Sequence, residues 1–285
     1  MKKIFAKLAA LVLALGMAGS CAQAQESINV ISREDGSGTR GAFIELFGIE
    51  QKDADGNKVD YTTDDCDITN STSVMMVSVS GNKNAIGYIS LGSLNDTVKA
   101  VKIDGVAPSV AAIKEGAYKI ARPFNIATGE AVSQQAQAFM DFIMSADGQK
   151  VIEDKGYIPV NDKATPFAGS NLAGKVVVAG SSSVTPVMEK LKEAYLLVNP
   201  NAEIEIQQSD SSAGMNAVRD KICDIGMASR ELKESELAAG IKPLVIAMDG
   251  IAVIVSNDNP VTGLTRDQVK AIYTGEVTDW GEVTK

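Results

Sequence analysis

The sequence predicts an α/β protein of two lobes with a ligand cleft between them, and three observations carry that expectation. From Lys175 onward, short apolar runs and amphipathic stretches alternate as strand and helix. Four strand-to-helix junctions are crowded with glycine and hydroxyl residues, and in open α/β sheets such junctions gather at the carboxyl ends of the strands, where ligands bind. The chain has 285 residues, 45% of them apolar, enough for about two domains of ~150 residues with a core each.

Taken in order, the chain opens with Lys2, Lys3 and Lys7 before an apolar run from Leu8 to Leu15, and Ala22, Gln23 and Ala24 form a small-x-small cleavage site. Residues 1–24 therefore read as a secretory signal peptide; the run is far short of the ~20 residues that cross a bilayer. Cys21, after Ala18, Gly19 and Ser20, resembles a bacterial lipoprotein cleavage box with alanine where leucine is usual, so a lipid anchor on Cys21 stays open.

Ile28 to Ser32 is an expected strand running into Gly36, Ser37, Gly38 and Thr39 and then a helix through Phe47. A polar loop from Gln51 to Asp65, a helix around Ser71 to Val79 and a strand from Ala85 to Ser90 follow. Helices are expected at Ala131 to Met144 and Gly148 to Lys155, and Asn161 to Gly174 reads as a linker. Val176 to Val178 is a buried parallel strand, and Pro186 opens a helix that Asn199 and Pro200 stop. Strands at Ala202 to Gln207, Asp224 to Ala228 and Ile251 to Val255 alternate with helices at Ser211 to Lys221 and Thr265 to Tyr273, the last capped by Thr265.

The composition removes several function classes. There is no histidine, hence no Ser-His-Asp or Cys-His catalytic arrangement, and the commonest zinc ligand is missing. Cys21, Cys66 and Cys223 show no metal-knuckle or redox spacing. Without the three leader lysines, 24 basic residues face 36 acidic ones, net −12, and no basic cluster exists to engage DNA or RNA. Neither a Walker motif nor a dinucleotide fingerprint is present, so no cofactor is expected.

An anionic small ligand fits. The junctions Gly180 to Val184, Ser209 to Ser212, Ala228 to Ser229 and Gly36 to Thr39 place unpartnered helix amides and hydroxyls together, with glycine in the first and last of them. One such junction alone is ordinary N-capping; four in one chain point to an anion cradle. Arg33, three residues before Gly36, is placed to add a bidentate cation, with Asp35 to orient it.

These segments, with Asp224 to Arg230, Asp249 to Val255, Thr274 to Trp280 and Arg33 to Thr39, together resemble the phosphate-binding protein of bacterial phosphate ABC transporters. The resemblance implies a type II periplasmic-binding-protein fold, mixed and mostly parallel sheets flanked by helices. It implies a periplasmic or cell-surface receptor, usually monomeric, that closes on inorganic phosphate and passes it to a membrane permease. The order differs: the family's second half comes first, as in a circular permutant, with residues 161–174 joining the family's usual termini. One lobe is then expected from 25–98 plus 251–285 and the other from 99–250, with the hinge near Val98 and Gly250.

Carried over by motif, the ligand contacts are Ser183, the Val184 amide, Ser211, Arg33, Ser37, Gly38 and Thr39, with Asp35 pairing the arginine. Ser229 and Arg230 occupy the place where the best-known members carry a carboxylate that accepts the ligand's own proton. Arg230 is then a second positive contact and Asp210 or Asp249 a substitute acceptor. Sulfate, molybdate or another oxyanion is the alternative ligand. A secreted phosphoester hydrolase using Ser183 or Ser37 is a remoter alternative, because no base stands beside either serine.

Overall fold

The computed structural model describes residues 26–283; the expected signal peptide and Cys21 lie outside the described residues. The chain begins β1 (Asn29–Arg33), α1 (Gly38–Leu46), β2 (Glu50–Lys52), β3 (Lys58–Asp60), β4 (Asp67–Thr69), α2 (Thr72–Ser80) and β5 (Ala85–Ser90). After a 3-10 turn at Leu91–Ser93 come β6 (Lys99–Ala100), β7 (Lys102–Ile103), α3 (Val110–Lys114), β8 (Ala121–Thr128), α4 (Gln134–Met144), α5 (Ala146–Asp154) and β9 (Ile158–Pro159). Then follow β10 (Gly174–Ser181), α6 (Thr185–Val198), β11 (Ala202–Ser209), α7 (Ser211–Arg219), β12 (Ile225–Ala228) and α8 (Glu234–Ala238). The last elements are β13 (Lys242–Val255), β14 (Gly263–Leu264), α9 (Arg266–Tyr273) and α10 (Trp280–Val283).

The main sheet runs β11-β10-β12-β8-β13-β5-β1-β4. Its flanks are parallel, β11, β10 and β12 on one side and β5, β1 and β4 on the other. The antiparallel pair β8 and β13 lies between them. The long strand β13 serves both halves, Lys242 to Gly250 on β8 and Ile251 to Val255 on β5. Two-residue alternation then sorts its side chains: Ile251, Val253 and Val255 enter one core, Ala252 and Ile254 the core on the opposite face. The other half repeats the arrangement, with cores around Val176, Val178 and Leu191 and around Ala179, Met215 and Val218.

The division between the lobes departs from expectation. Val101, Ile103, Tyr118 and Ile120, all placed in the second lobe by the sequence, are buried in the first lobe's core with Phe43 and Tyr273. The chain crosses at Ile120 to Ala121 and again at Gly250 to Ile251, two crossovers lying side by side, where the Ile251 amide donates to the Ile120 carbonyl (2.8 Å). Val98 is not a crossing point; it packs against Ile31 and Ala252. Val101, Ile103, Tyr118 and Ile120 therefore share a buried core with elements from 26–98 and 251–283, a contact that strand order alone does not reveal for strands as short as β6 and β7.

Other differences have local causes. β8 has no counterpart among the expected strands, since Pro123 and the buried Asn125 interrupt its apolar pattern. The expected polar loop at 51–65 contains the β2–β3 hairpin, whose residues are largely exposed and carry no apolar alternation. At the far end, the Ile28 amide donates to the Thr278 carbonyl (2.8 Å) and the Trp280 amide to the Glu26 carbonyl (3.1 Å), so the two ends of the described chain are stitched together. No helix among the described residues is long and apolar enough to cross a membrane.

Candidate functional site

The site is built where parallel strands end and helices begin. In the second lobe, β10 ends at Ser181, and Ser182 and Ser183 lead into α6; β11 leads through Asp210 into α7; β12 leads into Ser229. Gly180 (φ +133°) and Gly214 make this edge compact: a Cβ on Gly180 would lie 2.4 Å from the Met227 carbonyl oxygen, and one on Gly214 only 2.8 Å from the Gly180 Cα. The N-terminus of α7 is thereby pulled against the strand ends, and the Ser181 hydroxyl donates to Ser229 Oγ (2.9 Å) while the Ser229 amide donates to Ser211 Oγ (3.1 Å).

In the first lobe, β1 delivers Arg33, and Ser37 caps α1, its Oγ accepting the Arg40 amide at 3.3 Å. The end of β1 is fixed from behind: Tyr88 stacks on Phe43 (centroids 3.9 Å apart) and its hydroxyl meets Ser32 Oγ at 2.9 Å and the Arg33 amide at 3.2 Å. Burial pushes the Tyr88 phenol up to about 12, so it stays a neutral hydrogen-bonding group.

The two edges meet directly in a buried hydroxyl network. Thr39 Oγ1 lies 2.8 Å from Ser183 Oγ, and Arg33 Nη2 donates to Ser182 Oγ (3.1 Å). Thr72, first residue of α2, lies 3.2 Å by its hydroxyl from Ser183 Oγ, and its amide donates to Ser182 Oγ (3.3 Å). Gly38 packs on the other lobe's hydroxyls: a Cβ there would stand 2.4 Å from Ser211 Oγ and 2.8 Å from Ser229 Oγ. The Ser212 amide donates across the cleft to the Gly36 carbonyl (3.1 Å).

Arg33 is 2% exposed. Its Nε and Nη2 form a bidentate pair with Glu34 (both 2.7 Å), while Nη1 is buried with no hydrogen-bond partner. A buried guanidinium nitrogen without an acceptor is costly, and it marks a place where an anionic oxygen would be stabilised. With the hydroxyls and the starts of α1, α2, α6 and α7, the arrangement suits a small tetrahedral oxyanion.

Several expected roles change. Asp35 does not pair with Arg33; it is 96% exposed and binds Arg40 (2.9 Å), and the more buried Glu34 takes the arginine instead. The Arg230 guanidinium is not a free second cation: Glu236 holds it at 2.8 and 2.9 Å, and Ser212 accepts from it at 3.2 Å. That pairing keeps the Glu236 carboxyl below its usual range although burial alone would raise it. Asp210 caps α7 by accepting the Ala213 amide (2.8 Å).

The Val184 amide, expected to face the ligand, is donated to the Ser181 carbonyl (3.1 Å). Asp249 lies at the lobe junction, where it accepts from Ser90 (3.0 Å) and from Arg122 (3.2 Å). Ser183, Ser211, Ser229, Arg33, Gly38 and Thr39 are brought together as expected, and Ser37 stands beside them as a cap. Little in the residues singles out Thr72 and Ser182: Ser182 lies inside the Gly180 to Val184 junction with no role of its own, and Thr72 is a polar helix start like many others.

Comparison with known proteins places these features in context. A family model described as a PBP superfamily domain matches residues 3–147 and 165–284. A phosphate-binding protein of Streptococcus agalactiae is 54% identical over 280 residues, covering 96% of this chain and 95% of that protein. One from Streptococcus pneumoniae is 45% identical over 266 residues, 93% and 91% of the two chains. The crystal structure of a phosphate-binding protein of a phosphate ABC transporter from Streptococcus pneumoniae superposes with a TM-score of 0.70 at 46% identity, covering 90% of this chain and 99% of that one. Other phosphate-binding proteins align over less: that of Staphylococcus haemolyticus is 37% identical over 120 residues, 40% of this chain and 38% of its own.

Proposed function

This chain belongs to the PBP superfamily and, within it, to the phosphate-binding proteins of ABC transporters, and from that premise we propose that it captures inorganic phosphate between its two lobes and delivers it to a membrane permease. The observation that carries the reading is the buried Arg33 Nη1, which has no partner, set among hydroxyls contributed by both lobes. In this reading Arg33, Gly38 and Thr39 hold the ligand from one side and Ser183, Ser211 and Ser229 from the other, with Ser37 and the turn at Val184 shaping the cradle. Because the ligand bridges both sides, its binding and lobe closure are one event. The crossovers at Ile120 to Ala121 and Gly250 to Ile251 are the hinge.

In this reading the protein acts by binding, without turnover, which its similarity to proteins named for phosphate binding supports. It works outside the cytoplasm, delivered there by the leader at residues 1–24, as a monomer. Its segments stand in a permuted order shared with the streptococcal relatives. Support comes from their near full-length alignment, from the shorter alignment of the staphylococcal protein, and from the direct pairing of Glu26 to Ile28 with Thr278 to Trp280.

Isothermal titration of the protein with phosphate, repeated in excess sulfate, tests the function. One-to-one binding that persists in sulfate is the expected result; no heat with phosphate would refute it. A general oxyanion receptor is the second reading, favoured by one observation: the carboxylates of Glu34 and Glu236 are already paired with Arg33 and Arg230. Binding abolished by sulfate would select that reading.

A further inference from the structure

The carboxylates near the cluster are all engaged. Glu34 holds Arg33, Glu236 holds Arg230, Asp210 caps α7, and Asp249 serves Arg122 and Ser90. None of them is hydrogen-bonded to Ser182, Ser183, Thr39 or Thr72. A phosphate that retains a proton needs an acceptor for it, and a hydroxyl is the one neutral side-chain group here that both donates and accepts through the same atom.

Thr72 meets that description. It is 5% exposed, and it stands at the start of the nine-residue helix α2. Ser71 caps this helix through the Val74 amide (3.3 Å), which leaves the Thr72 amide free to point out of the helix; it donates to Ser182 Oγ. The Thr72 hydroxyl lies 3.4 Å from Ser182 Oγ and 3.2 Å from Ser183 Oγ. Independently, Arg33 reaches the same Ser182 oxygen with Nη2, and its neighbouring Nη1 is buried without a partner, so an acceptor is called for at this spot.

We propose that Thr72 is a ligand-contacting residue that determines specificity, its amide donating to a phosphate oxygen and its hydroxyl accepting the proton of protonated phosphate in place of a carboxylate. The proposal rests on the phosphate-binding reading above. Since the hydroxyl can also turn to donate, sulfate is weakened rather than excluded, and the preference between the two anions depends on this one group.

The test is titration of the full protein, Thr72→Val and Thr72→Ser with inorganic phosphate and with sulfate, each variant's fold checked by thermal melting. The expected result is a loss of about tenfold or more for phosphate in Thr72→Val and recovery to within about threefold in Thr72→Ser. The loss for sulfate, which has no proton to place, is smaller, so the phosphate-to-sulfate preference falls. Unchanged phosphate affinity in Thr72→Val overturns the proposal, and so does an equal loss for both anions, which a purely structural role would give. If the unmodified protein binds no phosphate, the underlying reading fails and this one with it.

Discussion

Arg33 in the cleft and Arg122 at the lobe junction are equally buried, each 2% exposed, yet they are finished differently. Arg122 has an acceptor at every nitrogen: Asp249 at Nε (3.4 Å) and Nη2 (3.2 Å), and the Ser229 carbonyl at Nη1 (2.9 Å). Arg33 has Glu34 and Ser182, but its Nη1 has nothing. The difference separates frame from receptor. A buried cation with every nitrogen bonded holds strands together, and one with a nitrogen left over is poised for an anion that the protein does not itself supply. The junction pair also touches the cleft, because Arg122 grips the backbone of Ser229, whose side chain belongs to the hydroxyl network.

The contrast breaks most directly at Arg122. Arg122→Met strands the Asp249 carboxylate at neutral pH and removes the donor of the Ser229 carbonyl, and it is expected to cost about 3–5 kcal/mol of stability in urea unfolding. A cost below about 1 kcal/mol would mean the pair is not part of the frame. Arg33→Gln is the mirror experiment. Phosphate affinity is expected to fall about 100-fold or more by titration, roughly 3 kcal/mol, while unfolding shifts less than in Arg122→Met.

The junction is expected to sense pH. Burial pushes the Asp249 carboxyl from 3.8 up to about 6, against the pull of Arg122, Ser90 and the Gly92 amide, with the Tyr157 phenol also facing it. The folded state therefore binds more protons than the unfolded state between those values, so the contribution of Asp249 to stability declines as pH rises through that window and is level above it. The size is at most about 3 kcal/mol. Asp249→Asn, which mimics the neutral carboxyl, should gain on the unmodified protein from pH 4 to 6 in parallel urea titrations; a constant difference would show that the carboxyl titrates alike in both states.

Two smaller effects sharpen the cleft side. Gly38→Ala places a methyl against Ser211 and Ser229 and should weaken phosphate binding about tenfold, with the melting temperature of the variant recording any separate folding cost. Glu236→Gln loosens Arg230 and should change phosphate affinity less than threefold; a larger change would return Arg230 to the ligand's contacts.

How much of this was legible in the residues depends on how local each signal is. The strand at Val176 to Val178, the helix that Pro186 opens and the Thr265 cap read directly, since apolar period and capping chemistry act within a few residues. β8 did not, because its Pro123 is accommodated by its antiparallel neighbours rather than by any pattern of its own. The motif glycines and serines around 36–39, 180–184 and 209–212 marked most of the cluster.

By itself the sequence determined the α/β class, the strand-to-helix junctions and the lack of a histidine-based catalyst, since these follow from periodicity, turn chemistry and composition. Only the tertiary structure decided that Glu34 rather than Asp35 takes Arg33, that Glu236 occupies Arg230, that Val101, Ile103, Tyr118 and Ile120 share a core with Phe43 and Tyr273 and that Thr72 enters the hydroxyl network. The reason is physical: hydrogen-bond partners are set by distances of about 3 Å between segments far apart in the chain. Neither apolar period nor residue spacing encodes which of several nearby carboxylates a buried guanidinium will meet.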